Sequence, residues 1–239
     1  MGYSIVTASA KVDGFGRQYL SKMSCLAYAR YNNYIYQHTS SRGTGHVSKP
    51  YSKLLEEFIG MRSDEEDNSE SSTPVTQSDY KKITFAPDIE KYFTQEVRDE
   101  LRDMYFSTLK PASCEYDVAI HIRRGDVTGR QRDIPNEAYV KYISKLRKKY
   151  PHYSFCIYSQ GDIKDFEVFK SDNMFFKLDE DLKKTFHDFV TAKVLVVGYS
   201  ALSYSAALLS EGIIYCVCPQ KKEMILSIGR KLSDWQPLE

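Results

Sequence analysis

The sequence predicts an α/β fold in which mostly parallel strands are layered against helices. Three observations carry that expectation. The hydrophobic period changes repeatedly along the chain between strand-like runs and 3.6-residue helical spacing. In the second half, strand and helix patterns alternate about five times, the signature of parallel-sheet layering. And 239 residues with 42% hydrophobic content leave room for one large or two small domains with proper cores.

The elements follow in chain order. SIVTAS (Ser4 to Ser9) is a short strand rich in β-branched residues, and Asp13-Gly14-Phe15-Gly16 is a turn. Leu20, Met23, Leu26, Ala27 and Arg30 recur at helical spacing, and Tyr34 to Gln37 is a second strand. Residues 63 to 79 read as a surface loop: positions 64 to 70 alone carry five acids and no base, and such a stretch buries too little apolar surface to offset its ordering entropy. A short strand is expected over Ile83 to Phe85, then a helix through Tyr92, Phe93, Val97, Leu101, Met104 and Tyr105.

In the second half DVAIHI (Asp117 to Ile122) is a strand and Glu137 to Tyr150 an amphipathic helix. FCIYS (Phe155 to Ser159) and Met174 to Lys177 are strands, with Lys164 to Lys170 helical between them. Leu182, Phe186, Phe189 and Val190 mark the next helix. VLVV, a helix from about Ala201 to Ser210, IIYCV and a final helix carrying Met224, Ile225, Ile228 and Leu232 complete the chain.

Composition removes several functions. Lys and Arg number 33 against 32 Asp and Glu, a net charge of +1, so no broad nucleic-acid-binding surface is expected and only a local patch can hold phosphate. Five scattered cysteines do not make a disulfide framework; Cys216 and Cys218 read as buried thiols, and no cluster of metal ligands surrounds them. Val194 to Cys218 carries only Glu211 as a charge, yet its serines and glycines divide it into strand, helix and strand rather than a membrane span. MGYSIVTASA has no basic region leading into an apolar run, so a cytoplasmic protein without a leader is expected.

HIRRGD (His121 to Asp126) stands where the apolar strand DVAIHI ends. Two readings are open: a pair of surface arginines, one bonded to Asp126, or a charge-assisted and bidentate grip on an anion. The strand-end position favours the anion, because parallel α/β sheets bind ligands at the carboxyl ends of their strands.

HIRRGD also resembles the HxRRxD motif of the GDP-fucose-dependent fucosyltransferases, the α-1,2, α-1,6 and protein O-fucosyl enzymes. The pattern is closest to the α-1,2 members, which read HVRRGDY. Other segments resemble the same family in its own order. Gly14-Phe15-Gly16-Arg17-Gln18 is similar to its GLGNQ turn, and Pro135 to Val140 to its "P-x-x-Y-Y" helix start. IYSQGD (Ile157 to Asp162) is similar to its "F-S-D-D" strand end, and Tyr199 to Ala206 to its NSTFSWWG segment.

The resemblance implies a GT-B fold of two Rossmann-like lobes, here residues 1–112 on the acceptor side and 113–239 on the nucleotide-sugar side. It implies an inverting transfer of fucose from GDP-fucose to a glycan hydroxyl, without a metal or other cofactor. Arg123 would hold the diphosphate and stabilise charge as the sugar departs, a task suited to a permanently protonated guanidinium. Arg124 and Asp126 would flank it. His121 and Asp188 would lie near the guanine, although a solvated helix aspartate is the plain alternative for Asp188.

Ser200, Ala201, Leu202 and Ser203 open a helix, where a serine caps and free N–H groups can meet phosphate. Gly14 and Gly16, with Arg17, would let the backbone approach sugar or phosphate. The sequence departs from the family at Arg17, where Asn is usual, and at Tyr204 and Ser205, which replace a Trp pair. Gln131 stands where the α-1,6 members have a glutamate, leaving Asp133 as the nearest carboxylate for a general base. His38 and His46 lie in a loop that is either acceptor-facing or ordinary. A GT-B enzyme using another nucleotide sugar, or a binding protein that has kept the fold without catalysis, are the alternatives.

Overall fold

In this computed structural model, residues 5–8, 12–45, 47–64, 74–77, 81–125, 134–217 and 230–238 are described. The chain divides into two compact units, Met1–Lys110 and Pro111–Glu239.

In the first unit the apolar run Ile5–Ala8 forms β1, the central strand of a three-stranded parallel sheet. Strand β2 (Val12–Asp13) leads through Gly14 into α1 (Phe15–Asn32), and β3 (Ile35–Gln37) lies beside β1. α1 buries thirteen of its eighteen residues, among them Leu20, Met23 and Leu26. It stops at Asn33, whose φ of 56° lies in the left-handed region that Asn tolerates. β4 (Gly43–Thr44) pairs with β2.

Three elements differ from the sequence expectation. α2 (Lys49–Ile59) was not foreseen, though Ser48 caps it, Pro50 sits in its first turn, and Leu55, Phe58 and Ile59 form a buried stripe. β5 (Pro74–Gln77) falls inside the stretch expected to be loop and pairs in parallel with β1. As the edge strand it accommodates a proline at its first position, where no ladder donor is required. The strand expected at Ile83 to Phe85 is instead a helical turn, α3 (Lys81–Thr84): Ile83 and Thr84 are buried, and the lysines before them are exposed. α4 (Gln95–Phe106), capped by Thr94, follows as expected.

The second unit holds a six-stranded parallel sheet. Its strands are β6 (Val118–His121), β7 (Phe155–Ser159), β8 (Met174–Leu178), β9 (Val194–Val197), β10 (Ile213–Val217) and β11 (Gln236–Leu238). The order across the sheet is β11-β10-β9-β6-β7-β8. Counted from β6, this is 3-2-1-4-5-6, the Rossmann arrangement, with its reversal of direction between β6 and β9. β6 and β9 are buried at every position, as central parallel strands covered on both faces must be. The covering helices include α5 (Asn136–Lys149), α6 (Leu182–Thr191) and α7 (Ala201–Leu209); Ile163–Phe169 is a 3₁₀ segment.

Of the last expected helix, Leu232 is in irregular chain and 221–229 lie outside the described residues. Leu232 and Trp235 nonetheless join the core, with the Tyr204 ring 5.1 Å from Trp235. Cys25 and Cys156 are buried, whereas Cys114 and Cys216 are half-buried rather than core thiols; Cys218 lies outside the described residues. No helix among the described residues is long and apolar enough to cross a membrane.

Candidate functional site

The reversal falls between β6 and β9, where parallel α/β sheets place a ligand crevice beyond the carboxyl ends of their strands, and the candidate site is built from the residues that end these two strands. β6 ends on His121. β9 ends on Val197, after which Gly198 leads to Ser200, the cap of α7, whose hydroxyl accepts from the Leu202 N–H at 3.2 Å. A Cβ on Gly198 would lie 2.3 Å from the His121 carbonyl oxygen, so only glycine lets the two strand ends approach this closely. His121 Nδ1 and Ser203 Oγ share a 2.8 Å hydrogen bond across the crevice.

His121 is buried, with its ring 5.2 Å from Phe189. Burial first, and then the charge of Arg123, hold the imidazole down at about 3, so it is neutral at physiological pH. An unfolded chain binds a proton at this histidine below pH ~6.5 that the folded chain refuses. Stability should therefore fall by about 1.4 kcal/mol per pH unit between roughly 6.5 and 3 from this residue. The His121→Gln variant should show a flatter acid-unfolding profile in that window; an unchanged slope in urea melts would mean that His121 is not kept neutral.

The two arginines separate in role. Pairing with β7 continues to Ile122, whose N–H donates to the Tyr158 carbonyl at 3.1 Å, so Arg123 is the first residue to leave the sheet. Arg124 donates to the Arg123 carbonyl at 2.9 Å and to Asn136 Oδ1 at 2.6 Å, while Asn136 in turn donates to the Asp165 carbonyl at 2.7 Å. Arg124 is thereby turned onto the start of α5. Gly125 takes a φ of 75° beside Gln160. Asp126, Gln131 and Asp133 lie outside the described residues.

Asp188, on α6, is only 2% exposed. One carboxylate oxygen accepts from the Tyr158 hydroxyl at 2.9 Å and the other pairs with Lys184. Burial raises this carboxyl against the lowering effect of those two donors. The aspartate is thus an interior group, not the solvated one of the plain alternative. It joins His121 through Tyr158, the cross-strand neighbour of His121, and through Phe189, whose ring is 5.2 Å from each of theirs.

Ser203 is fully buried and its hydroxyl faces His121, while the Ser200 N–H donates to the Gly198 carbonyl at 2.8 Å and the Leu202 N–H to Ser200 Oγ, so any phosphate contact by these residues falls to the backbone N–H of Ala201. The Ser203 to His121 pairing spans 82 positions, and no local pattern announces it.

In the first unit Gly14 caps α1 with φ −61°, and a Cβ there would meet nothing within 4 Å. Its N–H donates to Asp13 Oδ1 at 2.8 Å; Gly16 is buried in the first helical turn and Arg17 approaches Asp13 at 3.5 Å. His38 bonds Glu56 at 2.7 Å, and Glu56 also pairs with the buried Lys22. Burial alone would raise the Glu56 carboxyl, but the His38 hydrogen bond and the Lys22 charge outweigh it and hold it at about 2. Sequence reasoning missed this cluster because its members come from α1, the chain after β3, and α2. His46 lies outside the described residues.

No protein-family model matches the chain, and no curated protein matches it by sequence. By fold it is similar to a mutant of Arabidopsis thaliana FUT1 solved with GDP, with a TM-score of 0.50 and 12% identity over 93% of this chain and 71% of that one. It is also similar to Escherichia coli heptosyltransferase WaaC with ADP, with a TM-score of 0.52 and 10% identity over 98% of this chain and 92% of that one. The fold is GT-B. Both units are parallel α/β layers, and the Rossmann order of the second places His121 and the α7 start at the point where its strand order reverses. Among the described residues no three His, Cys, Asp or Glu side chains are grouped to hold a metal ion.

Proposed function

We propose that this chain is an inverting glycosyltransferase that moves fucose from GDP-fucose to a hydroxyl of a glycan, with the second unit holding the donor and the first receiving the acceptor. The observation that carries the reading is the crevice itself. A neutral His121 locked to Ser203 closes its floor, the α7 start offers the Ala201 N–H, and Arg123 leaves the sheet immediately beyond. An anion with two phosphates suits a helix start beside a guanidinium. As the sugar–phosphate bond breaks, negative charge grows on the leaving diphosphate, and Arg123 offers a fixed donor to meet it. Asp188 would meet the guanine by exchanging Lys184 or Tyr158 for the base's N–H groups.

A panel of GDP, ADP, UDP and CDP in thermal melts tests the donor. Ligand at one hundred times its dissociation constant stabilises by about 2.7 kcal/mol, so GDP should give the largest upward shift at equal concentration. A larger shift with ADP would move the assignment to an ADP-linked sugar, a reading supported by the likeness to WaaC with ADP. No shift with any of the four would overturn the nucleotide site. Slow release of fucose from GDP-fucose without acceptor separates an enzyme from a binding protein that has kept only the fold.

A further inference from the structure

The charge of this nearly neutral chain is unevenly placed on α5. Its outward face carries Lys141, Lys145 and Lys148, all exposed, at intervals of four and three that keep them along one side of the helix, while the neighbouring Lys149 donates to the Tyr215 hydroxyl at 2.6 Å. Glu137, in the first turn, is the one acidic residue of α5. The helix also contains one arginine, Arg147, and that side chain turns inward to Ser171 and Asn173. The outward cations are therefore all lysines. Lysine is a flexible, compact point charge that suits a diffuse anionic surface, whereas bidentate recognition of a defined partner group favours arginine.

At the C-terminal end of the helix Tyr150 and Tyr153 stack, their centroids 5.0 Å apart, half-buried beneath Lys149 and Lys193. The exposed positions of α5 hold no aromatic residue on which nucleic-acid bases could stack. Lys148, Lys149 and the tyrosines lie toward the amino end of β7, which begins at Phe155, whereas the proposed donor crevice is at the opposite, carboxyl end of the sheet.

We infer that the lysine face of α5 is a docking surface for an anionic membrane, holding the protein peripherally with its second unit against acidic headgroups. The inference does not depend on the sugar donor. Each lysine close to an anionic leaflet contributes roughly fivefold to binding, so Lys141, Lys145 and Lys148 together give reversible, salt-sensitive attachment.

Sedimentation of the full chain with phosphatidylcholine vesicles, and with vesicles that also contain phosphatidylserine, tests this directly. The parent should sediment with the serine-lipid vesicles alone and be released as salt is raised. The triple variant Lys141→Gln, Lys145→Gln, Lys148→Gln should bind them about a hundredfold more weakly while melting like the parent, since those side chains are exposed. Absence of parent binding would overturn the inference, and so would binding that survives the triple substitution. Retention of the parent on immobilised polyglutamate but not on vesicles would assign the face to an acidic protein instead. Because vesicle binding is read without donor or acceptor, its failure is distinguishable from failure of the glycosyltransferase reading.

Discussion

Replacing Arg123 with alanine is expected to lower sugar transfer by about 10²–10³-fold while leaving the melting temperature within a few degrees of the parent. The expectation follows from how the residues after β6 are placed. Ile122 is the last residue held by the sheet, and Arg123, half-buried, follows it directly. Its charge acts on the neutral His121 imidazole, so the guanidinium and the crevice floor share one electrostatic environment. A donor preorganised at the point where charge develops contributes far more to the transition state than to folding.

Arg124→Ala serves as the contrast. That guanidinium is bonded to Asn136 and to the backbone, so its loss should act through the position of α5 and appear in stability. Lys at position 123 should restore only part of the rate, because an ammonium cannot grip a phosphate bidentately. The measurement is single-turnover transfer from labelled GDP-fucose beside thermal melts of each variant. Transfer by Arg123→Ala at the parent rate would remove the proposed role of this arginine.

Much of the second unit was legible because its strands are nearly pure apolar runs. VLVV and IIYCV emerge as β9 and β10, and FCIYS as β7, since a parallel strand buried on both faces needs apolar residues at every position. The position of HIRRGD at a strand end was legible for the same reason. Sheet order was not: nothing in VAIH or VLVV says that they lie side by side, and the crevice exists only because they do.

The first unit was harder to read. α1 was legible from its helical spacing, whereas β5 is a short edge strand beside an acidic run whose composition dominates any sequence window. Ile83 to Phe85 misled because two β-branched residues and an aromatic suggest a strand, while packing against the unit's core selects a single helical turn. Within the site, His121 was found by motif. The Ser200 to Ser203 segment suggests a cap and phosphate contacts, and such a local pattern cannot reveal that the Ser203 hydroxyl turns inward to a distant histidine.

Gly198→Ala is expected to be strongly destabilising. The added Cβ would stand 2.3 Å from the His121 carbonyl oxygen and 3.2 Å from its carbon, and both belong to the backbone of a central strand that cannot swing aside as a side chain would. Overpacking of this kind costs about 3 kcal/mol when the neighbour is rigid. In a protein of this size, that lowers the melting temperature by roughly 6–12 °C. Any relaxation must part β6 from β9 and so disturb the His121 to Ser203 bond, and nucleotide-induced stabilisation should be lost with it.

Gly14→Ala provides the opposite case. A methyl group there meets nothing within 4 Å, and exchanging glycine for alanine at a helix cap costs no more than about 1 kcal/mol. If Gly14 is glycine so that a ligand can approach the backbone, its substitution should weaken ligand binding while the fold stays intact, whereas Gly198→Ala should lower stability and binding together. Melts of both variants with and without GDP separate the two cases. A Gly198→Ala protein that melts within a degree or two of the parent and still responds to GDP would show that β6 and β9 do not close on each other as tightly as this crevice requires.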